Sequence, residues 1–383
     1  MHEDTLRTIE RAVLYEGGYG LFSMDVGYGY DLDRIISRGI SDDQSAFDAV
    51  IDEVLPGTGI RIRVPSFACT TVSLPPLTGR NYDFLLDTSA MMVRCSPDNG
   101  YRSIGFAALD NLSANSMSTE RERTAALLSP FVCLDGMNEK GVTISILTLD
   151  SPPVDQRTGR SRICTSMAVR LVLDRCASTQ EAVELLGGYD MRAIGGRDYH
   201  FYITDASGDA RAVEYDCDSG ARELVSTESD VMTNFFVMHE ELYGTDRRYG
   251  HGKDRFDRVK DVLRSNPGGR SEDVAWQALR AAAQEPRPGD PTSNTQWSVV
   301  YDSRALVGSI ALRRHWDDVF VCDLRDGAPV RAGLRTGPPR RDASSASVRA
   351  RSCADTIRAR RRRRPQKRSG KSVPVLCQKL TNL

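Results

Sequence analysis

The sequence lacks most of the short motifs by which enzymes are recognised. It has no GxSxG elbow, no P-loop and no HExxH. The phosphate pattern GxGxxG is absent too: Gly17-Gly18-Tyr19-Gly20 and Gly27-Tyr28-Gly29 have no apolar strand before them. There are 5 histidines (His2, His200, His239, His251 and His315), none at ligand spacing from another histidine or from a cysteine, so neither a metal nor a cofactor is expected. No run reaches the roughly 18 apolar residues of a membrane span, so no membrane partner is expected. The first residues, MHEDTLRTIERAVLYEGG, are polar and charged rather than basic then apolar, unlike a secretory signal. The 9 cysteines include no CxxC pair, and their odd number reads as reduced thiols in a cytoplasmic protein, not a disulfide framework.

Charge of one sign is missing only in total. The net charge of -1 divides into a body near -15 and a tail near +14, since the residues from Arg325 on hold 17 Lys and Arg against 3 Asp and Glu. The tail is rich in Arg, Ser, Ala, Gly and Pro and contains Arg360-Arg361-Arg362-Arg363-Arg364. Without apolar surface to offset ordering entropy it is expected to be disordered. A nucleic-acid partner is open only to this tail, because an Arg-rich run neutralises phosphates without sequence preference.

The spacing of apolar residues predicts helices over Thr5–Tyr15, Ser41–Leu55 (Ser41 as its cap), Ile163–Cys176, Thr179–Leu186, Arg255–Leu263 and Ser271–Ala283. Ser178 and Glu181 have the spacing of a capping box. Strands are expected over Ile60–Pro65, Cys69–Leu74, Met91–Cys95, Ser103–Ala107, Val142–Leu149, Tyr199–Asp205, Ala210–Tyr215, Trp297–Asp302, Leu306–Leu312 and Val319–Leu324. Strands in two groups with helices grouped between them describe a layered α+β plan rather than strict βαβ alternation.

One cysteine stands apart. In Ser66-Phe67-Ala68-Cys69-Thr70-Thr71 a thiol opens a β-branched run behind a small residue, and Gly79-Arg80-Asn81-Tyr82-Asp83-Phe84 follows about a dozen residues later. The pair supplies a thiol, a cation to favour its thiolate and a carboxylate to hold an amine.

With these residues the chain resembles the choloylglycine hydrolase family of N-terminal-nucleophile (Ntn) hydrolases, which includes bile salt hydrolases and penicillin V acylases. Four further segments carry the likeness in order: Asp135-Gly136-Met137-Asn138-Glu139-Lys140-Gly141-Val142, Tyr199 to Gly208 with its Asp205-Ala206-Ser207-Gly208 turn, Val231-Met232-Thr233-Asn234, and Asp254-Arg255-Phe256.

The resemblance implies a four-layer αββα sandwich of two antiparallel sheets. The expected organisation is a leader at 1–68, the hydrolase domain at 69–324 and the basic tail at 325–383. Cys69 would be the nucleophile, released as a new N-terminus by cleavage after Ala68, with its α-amine as general base. Arg80 would favour the thiolate, Asp83 would hold the ammonium, Asn234 would donate to the oxyanion and Arg255 would complete the polar cluster. Thr148 falls at the second oxyanion position, where the family usually has Asn or Tyr. The Pro75-Pro76 turn makes the hairpin after Cys69 shorter than usual.

The activity implied is hydrolysis of a linear amide through an acyl-cysteine, with bile salt amides, penicillin V or N-acyl homoserine lactones as the substrate class and a homo-oligomer as the assembly. The alternatives are an acyltransferase of the penicillin-maturing type and a non-catalytic chain whose tail binds nucleic acid. Asp135, Asn138, Asp205 and Ser207 read as turn residues, and Cys95, Cys133, Cys164, Cys176, Cys217 and Cys322 as core thiols.

Overall fold

The computed structural model of the chain describes residues 2–60, 68–84, 88–286 and 294–332. In chain order the elements are α1 (His2–Thr8), β1 (Glu10–Leu14), β2 (Gly20–Asp25), α2 (Leu32–Ser37), α3 (Asp43–Val54), β3 (Ala68–Leu74), β4 (Leu77–Asp83), β5 (Ala90–Cys95), β6 (Ser103–Ala108), α4 (Glu120–Ala126), β7 (Cys133–Asn138) and β8 (Thr143–Leu149). There follow β9 (Arg162–Cys164), α5 (Thr165–Arg175), α6 (Thr179–Gly187), β10 (Asp190–Arg192), β11 (Asp198–Thr204), β12 (Ala210–Tyr215), β13 (Leu224–Glu228), β14 (Val231–Met232), β15 (Asn234–Phe235) and β16 (Gly250–His251). The last are α7 (Lys253–Ser265), α8 (Glu272–Ala282), β17 (Thr295–Asp302), β18 (Val307–Leu312), β19 (Val319–Asp323) and β20 (Asp326–Arg331).

One sheet has nine strands in the order β1-β2-β5-β6-β7-β8-β11-β12-β13, and the other seven, β14-β3-β4-β17-β18-β19-β20. Neighbours in both are antiparallel except β2 and β5, which run parallel. The two sheets face each other. Thr78 Oγ1 of one meets Thr204 Oγ1 of the other at 2.6 Å, and Thr204 also meets Thr143 Oγ1 at 2.7 Å.

Helices cover the outer faces. A Cβ at Gly136 in β7 would fall 2.7 Å from Leu173 Cδ1 of α5, and one at Gly79 in β4 would fall 3.3 Å from Leu279 of α8. The result is the four-layer αββα sandwich that the resemblance implies. With both faces of each sheet covered, β4, β6, β7, β8 and β11 are buried at every residue; β6 and β8 therefore read as unbroken apolar or small-polar runs, while β4, β7 and β11 also carry buried charged or polar side chains such as Arg80, Asp135 and His200.

Residues 2–54 are part of this body. β2 lies inside the nine-stranded sheet, and Leu21, Phe22 and Met24 belong to its core. At the other end β20, counted with the tail by sequence, pairs with β19 through Phe320↔Arg331 and Val321↔Val330. The rest of the tail from residue 333, and the strand expected over 60–65 apart from Ile60, lie outside the described residues. Among the described residues no helix is long and apolar enough to cross a membrane.

Three local expectations change. The helix expected over Thr5–Tyr15 ends at Thr8, whose Oγ1 bonds Thr5 O and Asp25 O. The chain then pairs with β2 as Glu10↔Ser23, so tertiary strand pairing overrides helical spacing. The cap of α3 is Asp42 rather than Ser41: Ser45 N donates to Asp42 Oδ1 at 2.8 Å while Asp42 N donates to Ser45 Oγ at 3.0 Å. Ser178 caps α6 as expected, but Glu181 takes the N–H of Ala177 instead of closing the box on Ser178.

Candidate active site

β3 and β4 form a hairpin closed by Pro75 and Pro76, with Cys69 opposite Tyr82 and Thr71 opposite Arg80. Residues two apart on a strand share a face, so Cys69, Thr71, Arg80 and Tyr82 all point between the sheets. Arg80 is the diagonal neighbour of Cys69, a separation that a long side chain spans. Its Nη2 lies 3.2 Å from Cys69 Sγ and donates to Ile146 O at 3.0 Å, while Nη1 pairs with Asp135 on the facing sheet. The short proline turn therefore leaves Arg80 at the sulfur. Asp83 is three residues from Arg80 and points the other way, towards α8.

The backbone of Cys69 is held by side chains rather than by a strand. β14 pairs with β3 through Val231↔Val72 and Met232↔Thr71 and then stops. Where residue 234 would continue that ladder opposite Cys69, the chain turns aside to pair with β16 through Asn234↔His251 and Phe235↔Gly250. Asn234 Oδ1 accepts from Cys69 N at 2.9 Å, and Arg255 Nη1 donates to Cys69 O at 2.7 Å and to Thr70 Oγ1 at 2.8 Å. Arg255 Nη2 also donates to Asn234 Oδ1, at 2.7 Å.

Two glycines make this possible. Gly250 has φ +101°, and a Cβ there would fall 2.1 Å from Asn234 O. Gly252, which precedes α7, has φ +88°, and its Cβ would fall 2.4 Å from Arg255 Nη2.

All six predicted site residues, Thr148 included, are thus brought together, with Asp83 on other partners than expected. The sequence reading gave Asp83 the nitrogen of Cys69; here that nitrogen donates to Asn234. Asp83 instead takes Thr295 Oγ1 at 2.6 Å and Gln284 Nε2 at 2.7 Å, with Arg255 Nη1 at 3.5 Å. The other end of the Asn234 amide, Nδ2, lies 2.9 Å from Thr148 O and 3.4 Å from Thr148 Oγ1, so Thr148 stands beside the expected oxyanion donor. Burial pushes the Cys69 thiol up to about 11, with Arg80 working against it. The sulfur is therefore a thiol at neutral pH, with a guanidinium beside it that favours negative charge there. Burial likewise raises the carboxyls of Asp83 and Asp135, opposed by Arg255 and by Arg80.

Asp135 is the residue that sequence reasoning misplaced. It is not a turn residue: it lies within β7, fully buried, ion-paired with Arg80 and hydrogen-bonded by Tyr301 OH. A carboxylate inside a strand between two sheets looks, in Asp135-Gly136-Met137-Asn138, like the start of a turn. Asn138 does make the turn, accepting from Lys140 N and Val142 N, and Asp205 does the same for Ser207 while also holding Thr179 N at the start of α6.

Glu214 was missed outright. Buried on β12, it accepts from Val237 N at 2.9 Å and Met238 N at 2.8 Å, just beyond Asn234, and from His200 Nδ1 at 2.9 Å. His200 is committed to this anchor rather than to the sulfur. Among the described residues one group of metal-ligating type occurs, Asp216, Cys217 and His239, none of which contacts Cys69.

A family model described as acyl-coenzyme A:6-aminopenicillanic acid acyl-transferase matches residues 73–313, beginning within β3 just past Cys69. No curated protein matches the chain. Similar solved structures include penicillin V acylase from Agrobacterium tumefaciens, 21% identical, with a TM-score of 0.48 over 67% of this chain and 86% of that one. They also include two variants of conjugated bile acid hydrolase from Clostridium perfringens, each 15% identical, with a TM-score of 0.48 over 69% of this chain and 96% of theirs.

Proposed function

The chain belongs to the family described as acyl-coenzyme A:6-aminopenicillanic acid acyl-transferase, and from that premise we propose that it is a cysteine Ntn hydrolase that cleaves a linear amide through an acyl-Cys69 intermediate. The observation that carries this reading is the bond from Cys69 N to Asn234 Oδ1. A nitrogen that is to act as base must already be aimed, and a side chain rather than a strand aims it.

Cleavage between Ala68 and Cys69 turns that amide into an amine with an ordinary pKa of about 8, able to take the thiol proton at neutral pH. The sulfur attacks the substrate carbonyl beside Arg80. The oxyanion forms near Asn234 Nδ2 and the backbone N–H of Thr148. The α-ammonium gives its proton to the leaving amine, and water then attacks the acyl-cysteine with the same amine as base. Asp83 and Arg255 hold Asn234 and the carbonyl of Cys69 in register. Because β2 is an interior strand, the piece ending at Ala68 stays with the body after the cut. Bile salt amides, penicillin V and N-acyl homoserine lactones are the substrates to assay, with the basic tail adding at most a polyanion contact.

A second reading, acyl transfer to an amine, is favoured by the family description. Product analysis with one acyl donor and a competing amine separates the two: free acid means hydrolysis, new amide means transfer. Intact mass gives the decisive test of the first. The wild-type chain is expected to appear as two fragments meeting between Ala68 and Cys69, and Cys69→Ala as one uncut, inactive chain. Turnover by Cys69→Ala above background sinks the mechanism. Cys69→Ser is expected to cut slowly and turn over far more slowly, since a hydroxyl proton must be removed during attack.

A further inference from the structure

Away from Cys69, three side chains of metal-ligating type converge on one point. β12 ends at Tyr215 and the chain turns through Asp216, Cys217 and Asp218. Opposite it is the short 3-10 turn Val237–Leu242, which follows directly on Asn234 and Phe236. His239 Nε2 lies 2.9 Å from Asp216 Oδ1 and 3.9 Å from Asp218 Oδ2. Its ring is fixed by edge contacts to Phe236 and Tyr249, at 5.9 and 5.5 Å between centroids. His239 Nε2, a carboxylate oxygen of Asp216 and Cys217 Sγ all lie within 4.8 Å of one another. Cys217 was expected in the core, yet among the described residues it is the only cysteine that is not buried.

We propose that Asp216, Cys217 and His239 bind one divalent transition metal of the Zn2+ class. The donors are one imidazole nitrogen, one carboxylate oxygen and one thiolate. That set suits Zn2+ or Co2+, with a fourth position for water, and does not suit Mg2+ or Ca2+, which want oxygen alone.

The charges agree. Asp218 is taken up by Tyr249 OH at 2.9 Å and Arg248 at 3.1 Å, and Arg222 is held by Asp198, so Asp216 and the Cys217 thiolate are left to neutralise a dication. Tetrahedral ligands at Zn2+ distances are roughly 3.5 Å apart, so the present separations need only small side-chain rotations. The metal takes the place of the hydrogen between His239 Nε2 and Asp216 Oδ1. Cys217 binds as the thiolate, so its proton leaves as the metal arrives and binding strengthens as pH rises. The ion ties the β12–β13 turn to the segment that follows Asn234.

The test is titration of the full chain with Co2+, read by the visible bands of a tetrahedral site and the ultraviolet thiolate-to-cobalt charge-transfer band. Zn2+ then displaces the Co2+ and should raise the melting temperature. One equivalent is expected, with the charge-transfer band absent in Cys217→Ser, affinity at least about tenfold lower in His239→Gln and in Asp216→Asn, and the spectrum kept in Cys69→Ala. Absence of the bands in the folded wild-type chain overturns the proposal. So does a band that survives Cys217→Ser or disappears in Cys69→Ala, either of which places the ion at another thiol.

Discussion

Two buried thiols in this molecule have nearly the same surroundings, and only one is proposed to do chemistry. Cys69 lies between the sheets, 3.2 Å from a guanidinium nitrogen of Arg80, which is paired with Asp135. Cys95 lies on β5, 3.3 Å from a guanidinium nitrogen of Arg170 on α5, which is paired with Asp174 and donates to Ser103 Oγ at 2.6 Å. Burial pushes both thiols up to about 11 against the pull of the neighbouring arginine. A thiol beside an arginine and a carboxylate is therefore not what marks a nucleophile. The difference lies in the backbone. Cys95 is an ordinary ladder residue opposite Ser103, whereas the N–H and C=O of Cys69 are held by Asn234 and Arg255.

The largest test of that contrast is to delete each sulfur. Cys69→Ala is expected to abolish processing and amidase activity. Cys95→Ala is expected to keep both and to lose about 1 kcal/mol of stability, the ordinary cost of a core truncation. If Cys95→Ala is inactive although folded, the contrast fails.

Arg80→Met and Arg170→Met each leave a buried carboxylate without its cation. Each should cost about 3–5 kcal/mol in denaturant unfolding. Only Arg80→Met should also lower kcat in the folded fraction.

Glu214→Gln probes the anchor that Cys95 lacks. It keeps the side-chain volume but exchanges one carboxylate acceptor for an amide donor beside Val237 N, Met238 N and His200, so roughly 1–3 kcal/mol should be lost. kcat should fall more than KM rises, because Asn234 is mispositioned while Cys69 and Arg80 keep their places.

The smallest effect is in alkali. A thiol raised in the folded state favours folding while it is protonated, so both cysteines contribute stability below the ordinary thiol value of 9.0. That contribution is lost as pH rises towards about 11. Unfolding midpoints measured from pH 8 upward should decline in the wild type, less in Cys95→Ala, and least when both thiols are gone.

What the sequence disclosed and what it hid follow the same physical line. The hairpin of Cys69 and Arg80 was legible because a β-branched run, two prolines and a fixed offset are all local. The helices α6, α7 and α8 were legible because each keeps one apolar face, and α5 because its apolar residues recur at helical spacing although it is buried nearly all round. Asp135 was hidden, because nothing near it in sequence says that a cation waits on the opposite sheet. β1 was read as helix since its partner, β2, had not been recognised. The closeness of Cys217 and His239, 22 residues apart, was hidden because it depends on tertiary contacts such as the anchor that Glu214 of β12 gives the turn after Asn234.

The short reach of β14 has a consequence for solubility as well. An unpaired strand edge is a template on which another chain can add itself. Beyond Thr71 the outer edge of β3 has no partner strand among the described residues, and Asn234 and Arg255 fill its hydrogen-bonding positions with side chains that cannot be extended into a ladder. The same two residues that hold the nitrogen of Cys69 thus plug the place where a second molecule would zip on, and replacing them would open the protein to self-association.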